Sequence, residues 1–128
     1  MSKLGLALLG GITAVGIASI VLASDMTASG GKKVTITGEV RDISCYTTAG
    51  LEGMKHVPCA KSCVLNGQEL GIQMADGTML MVLGKGPNDA PNKKLLPYVE
   101  QKVTVTGTEF RPPSFYGISI DSIAPAGG

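Results

Sequence analysis

All three cysteines of the chain and its one histidine fall within 19 residues, as Cys45, His56, Cys59 and Cys63. Their spacing is C-x10-H-x2-C-x3-C. Three thiolates and one imidazole form a complete tetrahedral set of the kind that holds structural zinc. Copper(I) also accepts thiolates, and cysteine-rich segments bind iron–sulfur centres. Zinc is the default, because four protein donors leave no open coordination position. A c-type haem is not supported, since C-x-x-C-H is absent.

Two other readings stand beside the metal. In an oxidising compartment two thiols tend to pair, and Cys45 with Cys59 or Cys63 would staple the segment to the rest of the chain. Cys59 with Cys63 is a poor disulfide along a regular helix. A catalytic thiol needs a base and an orienting group. His56 can serve Cys59 or Cys45 as the base, with Asp42 or Glu52 behind it. The redox motif C-x-x-C is missing, and the ten acids are scattered singly rather than paired. No enzymatic activity is expected. Met54 and Met26 are the remaining thioether candidates, and Tyr46 is placed to cover or hydrogen-bond within the cluster.

Several elements must bring these residues together. Pro58 suits the first turn of a helix and Asn66-Gly67 its end. A helix over roughly 58–65 puts Cys59 and Cys63 on one face. His56 then lies just before the helix, and Cys45 arrives from the end of a strand. That strand is V-T-I-T-G-E-V (34–40), where apolar and polar residues alternate. Residues 44–67 do not alternate and read as an insert.

Strands are also expected over 70–74 and 79–83, joined by a two-residue Asp76-Gly77 turn. In that register Leu70, Ile72, Met74, Met79, Met81 and Leu83 share one inward face, so core packing accounts for the methionines. Residues 84–92 read as loop and 93–101 as a short helical piece disturbed at Pro97. Two more strands, 103–108 and 116–123, flank a turn at 111–114. The segments Val34-Thr-Ile-Thr-Gly38 and Val103-Thr-Val-Thr-Gly107 echo each other. A mid-strand Gly permits the bend or bulge that a curved barrel strand needs.

The fold class expected is therefore all-β: a small five-stranded barrel over 34–124 with a Cys/His insert after strand one and a short helix before strand four. This order resembles the OB-fold, a Greek-key barrel with a helix between its third and fourth strands. The resemblance covers residues 33–124 and is most specific at L-L-P-Y-V-E-Q-K-V-T-V-T-G and G-I-S-I-D-S-I. Exported bacterial OB-fold domains look like this, among them the membrane-anchored haem chaperones of cytochrome maturation. Those chaperones use a histidine beyond the barrel, whereas this chain closes with A-P-A-G-G (124–128), so that activity does not carry over.

Residues 4–23 are an uncharged, largely apolar run of 20, preceded by Lys3. As a helix the run spans roughly 30 Å, a bilayer core. It reads as an N-terminal transmembrane anchor or a signal peptide, with Val21-Leu22-Ala23 as a small-residue cleavage site. Lys3 on the short flank favours a body translocated out of the cytoplasm. Gly10, Ala14 and Ala18 form a small-residue face on which a second helix can pack. Residues 24–33 are linker and 125–128 a tail.

With Lys3 set aside, ten basic side chains balance ten acidic ones. A neutral body gives no electrostatic footprint for nucleic acid. The expected function is an extracytoplasmic, membrane-anchored binding domain whose metal orders its first loop for a protein partner. Two alternatives share the same features: an accessory subunit of a membrane-bound redox complex docked through its N-terminal helix, and a copper or thiol shuttle.

Overall fold

The computed structural model describes residues 30–127. The apolar run 4–23, its small-residue face, Met26 and most of the 24–33 linker lie outside the described residues. Among the described residues no helix is long and apolar enough to cross a membrane.

Five strands close into a barrel: β1 (Lys32–Asp42), β2 (Leu70–Met74), β3 (Met79–Leu83), β4 (Lys102–Phe110) and β5 (Gly117–Pro125), in the order β1-β2-β3-β5-β4. Three short helices join them: α1 (Ile43–Ala49), α2 (Val57–Leu65) and α3 (Pro91–Leu95). All neighbours are antiparallel except β3 and β5, which run parallel. The expectation of a mostly-sheet, five-stranded barrel is met. β1 starts earlier than the sequence indicates: Lys32 and Lys33, read as linker, already pair with Glu109 and Thr108.

β1 is long because it serves two partners. Its first part, Lys32–Glu39, pairs with β4, and its last, Gly38–Asp42, pairs with β2. The two echoing segments are each other's partners. Val34 lies opposite Gly107 and Gly38 opposite Val103. Between them, facing threonines bring their hydroxyls to 3.3 Å at Thr35–Thr106 and again at Thr37–Thr104.

The β4–β5 register shifts between Thr106 and Gly107, the bulge that the mid-strand glycine permits. A Cβ on Gly107 would stand 2.3 Å from the Ser119 carbonyl oxygen. Gly107→Ala is therefore expected to lower stability by about 1–3 kcal/mol, the usual range for overpacking. An unchanged denaturation midpoint would show that the strands part without cost.

The β2–β3 hairpin departs from the expected register by one residue. Gln73 faces Met79, and Ile72 faces Leu80. The connection is longer than two residues: the Met74 N–H donates to the Thr78 carbonyl, and Gly77 takes φ 86°. That is the three-residue hairpin with a left-handed glycine, not the two-residue turn. One step in register turns β3 over. Leu80 and Val82 face the core, while Met79 is half-buried and Met81 is 42% exposed.

The core draws on every strand, with Val40, Ile72, Leu80, Val103, Val105 and Ile118 at its centre. Leu95 of α3 and Val99 beyond it close one end of the barrel. From residues 44–67 only Ala60 is a buried apolar side chain. Val57 and Val64, half-buried, pack against the same core beside it.

Candidate metal centre

Asp42 ends β1 and caps α1, its Oδ1 accepting the Cys45 backbone N–H at 3.1 Å. Cys45 therefore sits in the first turn of α1, against the barrel. A 3-10 turn at Met54–His56 leads into α2, which carries Pro58 at its start and ends at Asn66. Cys59 and Cys63 share one face of α2, as the helical spacing requires.

The three sulfurs of Cys45, Cys59 and Cys63 lie within 4.8 Å of one another. Cys45 Sγ and Cys63 Sγ are 4.0 Å apart. A tetrahedral zinc with arms of about 2.3 Å sets its sulfurs about 3.8 Å apart, close to this separation, which a thiol–thiol hydrogen bond gives as well. A disulfide needs about 2.0 Å, and all three cysteines are free. A second set, the donor atoms of Asp42, Cys45 and His56, also lies within 4.8 Å. Either set can hold a metal ion. Of the four residues that the sequence singled out, the structure gathers the three cysteines in one set and places His56 in the other, with Cys45 and Asp42.

His56 is buried, and the reason lies across the barrel. Its Nδ1 is 2.9 Å from Glu100 Oε1, and Glu100 is buried as well. With Nδ1–H donated to the carboxylate, Nε2 carries the lone pair. That nitrogen is buried and has no hydrogen-bond partner among the described residues. Asp42 Oδ2 is in the same state. A carboxylate behind an imidazole whose other nitrogen is free is the usual support of a metal-ligating histidine.

Glu100 is a hub. Its Oε2 accepts from Arg41 Nη1 at 2.5 Å and from the Gly53 backbone N–H at 2.8 Å. It holds a left-handed backbone, φ 61°, the one such non-glycine residue among those described. That conformation costs on the order of 1 kcal/mol for a residue of this size. It persists because the Glu100 N–H donates to the Val40 carbonyl and the Val40 N–H to the Gln101 carbonyl.

Arg41 is buried too. It also bonds Glu39, stands 3.1 Å from Glu52, and donates from Nε to Gln73. Tyr46 accepts a hydrogen bond from Gln73 and lies under Arg41, with the guanidinium 5.9 Å from the ring centre. One cation thus faces three carboxylates, with Asp42 close by, and the surplus of negative charge favours a bound cation.

Burial, with the Asp42 carboxylate adding to it, pushes the Cys45 thiol up to about 12. Burial raises Cys63 as well. Without an ion these thiols keep their protons, so a metal displaces protons as it binds. No protein family, curated protein or solved structure matches the chain.

Sequence reasoning missed Glu100 and Arg41. Glu100 is far from the cysteines in the chain, and Arg41, although close to Cys45, belongs to no ligand spacing that would single it out. Met54, a thioether candidate, is 68% exposed.

Proposed function

We propose that the chain is an extracytoplasmic, membrane-anchored OB-fold binding domain whose insert is ordered by one zinc ion on Cys45, His56, Cys59 and Cys63. The observation that carries the reading is the meeting at Cys45 of a three-thiol set and of a buried histidine whose free Nε2 is backed, through Nδ1, by Glu100. The strand order, closed through β1–β4 and with β5 inserted between β3 and β4, supports the OB-type path.

Zinc is favoured over the other metals by the donor set. Nitrogen and sulfur in a compact group suit one tetrahedral ion. In an iron–sulfur centre, bridging sulfides hold the protein ligands farther apart. A nucleophilic role for Cys45 or Cys63 is disfavoured, because a nucleophilic cysteine has a lowered pKa and both are raised by burial.

The metal does for the insert what the core does for the barrel. With the insert held, Leu51 and Met54 stand exposed on its surface, and Leu65 does so at the end of α2. These apolar side chains suit a protein partner, whereas the balanced charge does not suit nucleic acid. Residues 4–23 would hold the domain at the membrane.

Metal content, free thiols and intact mass measured on one exported sample test the reading. The expected result is one zinc per chain, thiols that react only after chelation, and a mass that retains residues 1–23. Metal-free protein with two cysteines joined would replace the zinc site by a disulfide, and a mass starting near Ser24 would remove the anchor.

A further inference from the structure

Two three-donor sets share one cysteine, which makes five candidate ligands where four complete a tetrahedron. Cys45 belongs to both sets, with Cys59 and Cys63 in one and with Asp42 and His56 in the other. The two surplus candidates differ in kind. Asp42 is fully buried, with one oxygen committed to the Cys45 N–H and the other without a partner among the described residues. A buried carboxylate oxygen in that state is costly and calls for a cation. Cys59 is exposed, the outermost of the thiols.

We propose that Asp42 is a reserve ligand that replaces Cys59, so that the zinc ion can be passed to or from a thiol-bearing partner protein without losing four-coordination. This rests on the zinc-site reading above. In the exchange the Zn–Sγ bond to Cys59 breaks and a Zn–Oδ2 bond to Asp42 forms. The freed Cys59 thiolate takes a proton from solvent, and nothing is oxidised or reduced. Cys45, His56 and Cys63 stay bound during this swap; in the hand-over that follows, the partner's donors replace the remaining ligands one by one, and each released thiolate takes a proton from solvent. The exposed Cys59 side is then where a partner's thiolate meets the ion, next to the apolar surface of the insert. Asp42 already stands in the fold as the cap of α1, with its carboxylate within 4.8 Å of the Cys45 and His56 donor atoms.

Cobalt(II) reports both the number of ions and the number of thiolates bound, through thiolate-to-metal charge-transfer absorbance. The test is cobalt titration of the full chain and of Cys59→Ser, Asp42→Asn and the double variant. Asparagine keeps the oxygen that caps α1, so Asp42→Asn removes the ligand and leaves the helix start. Each single variant is expected to bind one cobalt per chain, and Cys59→Ser to lose about one third of the charge-transfer absorbance. The double variant is expected to bind about 100-fold more weakly than either single one, a coupling that independent sites do not show.

Transfer of zinc to excess glutathione is expected to be about 10-fold slower in Asp42→Asn than in the parent. This rate, with the Cys59→Ser absorbance, decides the matter even if the double variant does not fold. Loss of all cobalt binding in Cys59→Ser, or an Asp42→Asn transfer rate equal to the parent's, overturns the reserve-ligand role and leaves the zinc site standing. A parent chain that binds no cobalt overturns both.

Discussion

Cys45→Ser is expected to abolish tight metal binding and to open residues 44–67 to protease while the barrel stays folded. Cys45 is the one residue common to both donor sets. Without its sulfur, Cys59 and Cys63 remain as one pair and Asp42 and His56 as another, and a pair is half of a tetrahedral site. The loss in affinity should exceed about 100-fold, the upper range for removing a mere supporting residue. The barrel is spared because Ala60 is the one fully buried apolar side chain that its core takes from the insert.

The insert itself has short helices that need outside support: α1 has 7 residues and α2 has 9, below the length at which isolated helices persist. Metal competition and limited proteolysis on the same sample check both halves. A variant that binds zinc like the parent, or a cleavage pattern that does not change, would separate the cysteine from the order of the insert.

The second large effect is expected at Glu100. Glu100→Ala removes the partner of buried Arg41, of His56 Nδ1 and of the Gly53 N–H in one step. Breaking a buried ion pair by deleting one member costs about 3–5 kcal/mol, since the other charge is left in place. Relief of the left-handed backbone does not offset this, because alanine is strained at φ 61° as well. Urea denaturation of the metal-free chain reads the loss as a lower midpoint at constant slope. Zinc affinity should fall by about 10–100-fold in addition, as His56 loses its orientation. A stability change under about 1 kcal/mol would mean that Arg41 is satisfied by Glu39, Glu52 and Gln73 alone.

These two residues also mark where the sequence is legible and where it is not. Cys45 is legible because metal ligands cluster and because Pro58 and Asn66-Gly67 bound the helix that aligns Cys59 with Cys63. The strands are legible because alternation has a period of two. The β2 and β3 spans coincide with the expected 70–74 and 79–83, and Leu70, Ile72 and Met74 face inward as expected, yet β3 is turned over. Periodicity gives a strand its two faces but does not say which is inward, and here that choice rested on the length of the turn around Asp76-Gly77. Glu100 is illegible for a different reason. It acts across 44 residues on His56 and across 59 on Arg41, and no local pattern encodes a meeting of that kind. Asp42 lies between: the sequence offers it only as an orienting group behind His56, and its cap of α1 and its second oxygen acquire meaning once the fold is in place.

The separation between Glu100 and its partners also orders events in time. β1 and β4 meet through contacts such as Thr35 with Thr106, 71 residues apart, and pairings so distant make folding slow, in the range of milliseconds to seconds. Until that closure, Glu100 is remote from Arg41 and His56, and the imidazole has no carboxylate behind it. The histidine arm of the centre is therefore assembled only after the longest loop in the barrel has closed. Under the proposed zinc reading, a folding chain can gather an ion on its three thiols early, but it acquires the histidine ligand last.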